Sequence, residues 1–189
     1  MRDLENNFLF KLWGAFGERC VGIAGGRINA DEVDELLKKI SEIDQKLGTT
    51  SQIFKSSCIA GPEHLLHSAR LALTAFATGI NFASSLGVEL ACWTSAQRQI
   101  GRALSIVGIT KSDREIALIT IGFSNDQVER AMNEILSELK IVRDDASLKI
   151  NEEKTKVLLN TFSIPPILLK TYDIQKLVME RVALLALER

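Results

Sequence analysis

The two histidines of the chain lie three residues apart, at His64 and His67, inside the stretch GPEHLLHSARLALTAF. Side chains three apart on a helix share one surface, so two imidazoles could supply two ligands of a metal ion. A zinc site needs at least one more ligand, and the neighbouring Glu63 projects about 100° away from His64 around the helix axis. We therefore expect no metal ion and no cofactor, while a stand-alone enzyme or metal protein with a site around Glu63, His64 and His67 stays open as an alternative.

The helix that carries these histidines is predicted to begin near Pro62, because proline suits the first turn of a helix. His67 and Arg70 are predicted to lie on the side away from the core, with His64 at the border between the two sides. This pattern favours a scaffolding helix with a solvated His67. The apolar side, which should face the core, consists of Leu65, Ala69, Ala72, Leu73, Phe76 and Ile80.

No other motif of the sequence indicates catalysis. The segment AGGRIN, from Ala24 to Asn29, lacks the spacing of a phosphate-binding loop and is predicted to be a turn. The Gly-x-Ser-x-Gly pattern of many hydrolases is absent. Both histidines belong to one helix, so a serine or cysteine nucleophile would need a long-range contact to reach them. We therefore predict no catalytic residues.

The three cysteines, Cys20, Cys58 and Cys92, are far apart and lie in or near apolar runs. An odd number at such spacing predicts buried, reduced thiols of an intracellular protein rather than a disulfide framework or a zinc site. No stretch of about 18 apolar residues could span a membrane, and the first ten residues lack the features of a secretory signal. These observations predict a cytoplasmic protein.

A basic middle segment is the main charge asymmetry of a chain whose net charge is −1. From Lys46 to Lys111 the sequence has six Lys or Arg residues against two acids, Glu63 and Glu89, a local balance of +4. Such a balance is either an ordinary fluctuation or a basic face for an anionic partner.

Within this segment, TSAQRQIGRALSIVGI is predicted to be a helix that follows a strand, with a capping box of Thr94 and Gln97 and a C-terminal cap at Gly108. Arg98 and Arg102 share one predicted exposed stripe with Ser105. Two arginines on one stripe can bind a phosphate or a carboxylate through paired N–H donors, although a merely solvated face would look the same. The predicted buried stripe is Ile100, Ala103, Leu104 and Val107.

The stretch YDIQKLVMERVALLALER is predicted to be a helix with Asp173 as its N-cap. Its apolar residues cover more than one stripe of the helix. Such a helix is either buried on two sides or packs against a partner. A homodimeric interaction module that uses this helix is therefore a second alternative.

The 189 residues contain no repeat and no linker, so we expect one domain over residues 1–189. The helix predicted in NADEVDELLKKISEIDQKLG has Asn29 and Glu32 as a capping box, and that in SNDQVERAMNEILSELK has Ser124 and Gln127. The irregular alternation of strands and helices predicts an α+β fold, a mixed two-layer arrangement with short strands packed against several helices. The predicted strands are Phe8–Trp13, Arg19–Ala24, Ser57–Ala60, Val88–Trp93 and Glu115–Phe123.

Taken together, these segments resemble the kinase-binding small subunit of the KEOPS complex, the CGI/TPRKB or PRPK-binding protein family. The likeness is clearest from Ser57 to Ile109, where a helix opens at His64 and Leu65 and an alanine-rich run follows. The chain is long for a compact member, with the extra length between Ile141 and Lys156. The other matching positions are Gln99, Ile100, Ala103, Leu104 and Gly108, and the segments Thr120–Ser124, Phe162–Ile164 and Met179–Glu188.

The resemblance implies a non-catalytic, regulatory subunit that binds the small atypical kinase/ATPase of KEOPS, contacts other KEOPS subunits indirectly and helps recruit tRNA. The complex forms threonylcarbamoyladenosine next to the anticodon, and another subunit performs the transfer. The basic residues then become candidate tRNA contacts: His67, Arg70, Arg98 and Arg102. The terminal helix supplies the candidate kinase contacts: Leu177, Val178, Arg181, Leu184 and Leu185.

Overall fold

An antiparallel sheet forms the centre of the computed structural model, which describes residues 8–29 and 33–187. Its strands run in the order β1-β2-β4-β3, and a short β5 pairs with the last residues of β2. The first two strands form a hairpin that closes with Gly14 opposite Gly17. The strand bounds are β1 Phe8–Gly14, β2 Gly17–Arg27, β3 Thr50–Lys55, β4 Glu115–Gly122 and β5 Val142–Arg143.

Helices cover both faces of this sheet. Residues Cys20 and Leu118 of the strands face one apolar cluster, which includes buried side chains of the first and fifth helices, whereas Val21 and Ile119 face the other. Successive strand side chains point to opposite faces, so β4 is apolar along nearly its whole length. The helix bounds are α1 Val33–Leu47, α2 Pro62–Thr78, α3 Leu86–Ser95, α4 Ile100–Val107, α5 Asn125–Glu138, α6 Glu152–Thr161 and α7 Ile174–Leu184.

The α+β prediction is confirmed, and the sheet lies between two helical layers, one more than predicted. α2, α3 and α7 contribute to the larger cluster, while α1 and α5 cover the other face. The predicted starts of α2 at Pro62 and of α5 after Ser124 are correct. The capping box of Asn29 and Glu32 lies partly outside the described residues. Within the described ranges, no helix combines the length and apolarity needed to cross a membrane.

Two predicted strands are wrong. The segment Val88–Trp93 lies in α3, whose N-cap Ser85 accepts a hydrogen bond from the backbone N–H of Val88 at 3.4 Å. Its apolar run is buried all round, and a short run of this kind reads the same in a strand and in a buried helix. The predicted strand Ser57–Ala60 begins in a single 3-10 turn, Ser56–Cys58, after β3 has ended at Lys55.

Two predicted local features are also wrong. The glycine-rich segment AGGRIN is not a turn, since β2 runs through it to Arg27. A Cβ on Gly25 would lie 2.6 Å from the carbonyl oxygen of Asp144, so this glycine allows a close backbone approach. Thr94 does not cap α4, because it still belongs to α3 and α4 begins at Ile100. Gly108 does end α4 as predicted.

Candidate partner-binding surface

His64 is a buried structural residue of α2. The backbone N–H of Ala60 donates to its Nδ1 at 3.1 Å, so the proton of the neutral ring lies on Nε2, which donates to the carbonyl oxygen of Thr94 at 3.0 Å. Burial lowers the pKa of His64 to about 3, which keeps the ring neutral. The imidazole therefore joins the start of α2 to the end of α3, and its predicted position at the border of the helix is corrected to full burial.

Glu63 and His67 do not join His64 in one polar group. The Glu63 carboxylate accepts a hydrogen bond from Nε2 of Gln175 at 2.7 Å, which links α2 to α7. His67 is half-buried, and its Nε2 has no hydrogen-bond partner among the described residues. Burial, and secondly Arg70, lower its pKa. No group of three His, Cys, Asp or Glu in the described part of the chain could hold a metal ion.

The four candidate tRNA contacts are spread over three elements. Arg70 on α2 is exposed and donates from Nη1 to the carbonyl oxygen of Trp13 at 3.2 Å. Arg98 precedes α4, and its guanidinium lies over the ring of Phe82 at 5.4 Å from the centroid. Arg102 is exposed on α4. Arg98 and Arg102 are both exposed, yet they do not share the single helical stripe that the sequence predicts.

The five candidate kinase contacts divide by burial. Leu177, Val178 and Leu185 are core residues of the cluster below α7. Arg181 is exposed and donates from Nη2 to the carbonyl oxygen of Ser163 at 3.3 Å, and Leu184 is 38% exposed. The apolar character of this helix thus arises largely from its own packing. Only Arg181 and Leu184 of the five are accessible to a partner in this structure.

An apolar cleft lies beside the end of α7. Its volume is about 220 Å³, and we call it the α7 cleft. Leu184 and Leu187 adjoin it in sequence, and the Leu187 side chain is 78% exposed. The α7 cleft is lined by Ile80, Phe82, Trp93, Arg98, Leu185 and Ala186.

The predicted buried stripe of α4 is half wrong. Ala103 and Val107 are buried, whereas Ile100 and Leu104 are exposed.

The buried carboxylate of Glu89 fixes two walls of the α7 cleft. Its Oε2 accepts hydrogen bonds from the backbone N–H groups of Phe82 and Ala83 at 2.7 and 2.9 Å, and its Oε1 accepts from Nε1 of Trp93 at 2.8 Å. Sequence reasoning counted Glu89 only as an acid of the basic segment and missed this role. The spacing of four between Glu89 and Trp93 is the signal that would have indicated it, had the segment been assigned to a helix.

The charge of the basic segment is changed by its contacts. The Lys46 ammonium lies 2.7 Å from a carboxylate oxygen of Glu134, so α5 neutralises one of the six cations. Glu89 is buried and presents no charge to a partner at the surface. The other five cations of the segment stay available to a polyanion, and the exposed ones among them are Arg70, Arg98, Arg102 and Lys111.

Comparison with known protein families gives a match to most of the chain. The family model described as "Kinase binding protein CGI-121" matches residues 29–186, which includes the α7 cleft and all nine candidate contact residues. None of the curated proteins matches the chain.

Proposed function

The chain belongs to the CGI-121 family of kinase-binding proteins, and we propose that it is a non-catalytic, kinase-binding subunit of a KEOPS complex in the cytoplasm. The family match supports the kinase-binding role. The KEOPS assignment, with formation of threonylcarbamoyladenosine in tRNA, is supported by the likeness of the Ser57–Ile109 region to that subunit. The partner is then the small atypical kinase/ATPase of the complex, and other subunits are contacted indirectly.

We propose that the kinase contacts the protein at the α7 cleft. The cleft can take an apolar side chain, and Leu184 and Leu187, which flank its lining residues Leu185 and Ala186 in sequence, present exposed apolar surface that water solvates poorly. Arg181 lies on the same helix as Leu184 and supplies an exposed cation there. Binding energy at such surfaces concentrates in a few central residues that fill pockets on the partner.

Isothermal titration calorimetry with a purified KEOPS-type kinase tests this surface. The double variant Leu184→Asp, Leu187→Asp should weaken binding by about tenfold or more, because it places two charges in an apolar interface. The matched control is Val142→Asp on β5, an apolar residue whose exposure of 68% lies between the 38% of Leu184 and the 78% of Leu187, and it should bind like the wild type. Melting temperatures of the variants show whether the fold is retained.

The outcomes separate three possibilities. Full affinity in the double variant would move the kinase to another surface. Failure of the wild-type protein to bind any such kinase would remove the proposed function itself. A dimer in light scattering that the double variant abolishes would instead favour the homodimeric alternative, in which α7 packs against a second copy.

We further propose that tRNA binds the exposed cations Arg70, Arg98 and Arg102, with His67 one turn from Arg70 on α2; Arg98 also lines the α7 cleft. Removing one phosphate contact should reduce the slope of log affinity against log salt by roughly 0.7 to 0.9. The variant Arg98→Glu, Arg102→Glu, titrated with tRNA at two salt concentrations, should show weaker binding and a flatter slope. Arg130→Glu on α5, an exposed arginine with only a 3.9 Å pair to Asp126, is the control. An unchanged slope in the double variant would exclude these arginines.

A further inference from the structure

A buried lysine lies outside the proposed kinase and tRNA surfaces. Lys154 on α6 is 6% exposed, and its ammonium donates to Oγ of Ser56 at 3.3 Å and to the carbonyl oxygen of Ser147 at 3.0 Å. No carboxylate of the described residues forms an ion pair with it. Burying an ammonium without a direct ion pair is costly. The third N–H of this ammonium has no protein partner among the described residues.

The side chain of Lys154 lines a cavity of about 290 Å³ between the end of β2, the start of β4 and the first turns of α6. Arg27 and Asp144 at its wall neutralise each other, since their charged atoms lie 2.7 Å apart. The charges of the other ionisable residues that line this cavity also sum to zero. Lys149 and Lys154 are positive, and Glu115 and Glu153 are negative.

We propose that this cavity binds the carboxylate of a small molecule, with Lys154 as the cationic anchor. A carboxylate can pair directly with the buried ammonium, which forms no salt bridge among the described residues, and can accept its third N–H in a charge-assisted hydrogen bond. A phosphate dianion fits less well, because Glu115 and Glu153 repel its two charges about twice as strongly as the single charge of a carboxylate. The volume is at the lower end of that of ligand sites, so the ligand has few heavy atoms.

The protonation of Lys154 agrees with an anchoring role. Burial lowers the pKa of its amine to about 8, and Glu115 opposes that effect. Most molecules therefore still carry the ammonium at pH 7. Ser56 is not a nucleophile beside it, because its hydroxyl is buried and donates to the carbonyl oxygen of Ser147 at 2.5 Å.

Titration of the full-length, 15N-labelled protein with sodium acetate at constant ionic strength tests the site by NMR. Amide shifts should concentrate around Ser57, Ser147 and Glu153. The variant Lys154→Met, which keeps the length of the side chain, should lose about tenfold or more in acetate affinity. Lys156→Met, two residues along α6 and exposed, is the matched control and should bind acetate like the wild type.

Several results would overturn the proposal. Absence of saturable shifts would mean that water alone fills the cavity, and shifts at other residues would place acetate elsewhere. Equal affinity in Lys154→Met would remove the anchor, and tighter binding of inorganic phosphate than of acetate would contradict the ligand class. If Lys154→Met did not fold, the location of the shifts in the wild-type spectrum would decide by itself.

Discussion

Acidification from pH 7 to pH 5 should destabilise this protein mainly through His64. The ring accepts from the Ala60 N–H and donates to the Thr94 carbonyl, and burial holds its pKa at about 3 in the folded state. In the unfolded chain the imidazole has an ordinary pKa of about 6.5. Between those two values the unfolded state binds one proton that the folded state does not. Stability is therefore fully present above pH 6.5 and declines as the pH falls below it.

The expected magnitude follows from this proton difference. Each pH unit well below 6.5 removes about 1.4 kcal/mol from the free energy of unfolding, so the loss between pH 7 and pH 5 is about 2 kcal/mol. Carboxylates of the unfolded chain titrate near pH 4 and add little above pH 5. His67 also has a lowered pKa and contributes in the same direction, so it must be removed from the comparison.

Urea denaturation at pH 7 and pH 5 measures the effect, with His67→Gln as the background. That variant should keep the loss of about 2 kcal/mol. Adding His64→Gln should abolish most of the pH dependence and lower stability at pH 7 by about 1–3 kcal/mol, because a buried backbone group loses its partner. Both proteins should give the same m-value if they unfold in the same two-state manner.

A pH-independent free energy of unfolding in the His67→Gln variant would refute this reasoning. It would mean that His64 accepts a proton in the folded state, and hence that the ring reaches water or a carboxylate that the structure does not show beside it. The same conclusion would follow if the double variant retained the full loss.

Three further predictions concern buried polar groups and thiols. Glu89→Ala should lower the free energy of unfolding by about 3–5 kcal/mol in urea denaturation, because it leaves the indole N–H of Trp93 and two backbone N–H groups without an acceptor. Asp44→Ala should cost about 1–3 kcal/mol in the same assay, since its carboxylate accepts from the N–H and hydroxyl of Ser51. A thiol reagent should label no cysteine of the folded protein quickly and all three in urea, because all are buried and burial raises the pKa of Cys92 to about 11.

Several local features could be predicted from the sequence because their causes lie within a few residues. Ser124 caps α5 and accepts from the N–H of Gln127, as the capping pattern predicts, and Asp173 caps α7 in the same way through Lys176. Gly48 ends α1 in the left-handed conformation at φ 67°, which glycine adopts without strain. The strand β4 was predicted from its long apolar run.

The candidate surface could be predicted only in part. The basic residues Arg98 and Arg102 are exposed as expected, but the α7 cleft was not foreseen, because it depends on Phe82 and Trp93 being fixed by Glu89. The assignment of α3 failed since a short apolar run carries no periodicity once every side of the helix is buried. Unless this segment is assigned to a helix, the spacing of four between Glu89 and Trp93 does not predict contact between their side chains.

The sequence by itself determined the α+β class, the caps of α5 and α7, and the family likeness, since these depend on neighbouring residues and on their order along the chain. The tertiary structure alone decided which polar groups are buried. His64 is neutral because its ring is fully buried, where its Nε2–H donates to the carbonyl oxygen of Thr94, 30 residues away, and Lys154 is buried against Ser56, 98 residues away. It also decided that Leu177, Val178 and Leu185 face the core while Leu184 does not. Burial depends on contacts between distant segments. The sequence of an apolar helix has the same pattern whether the rest of the chain or a partner covers its apolar residues.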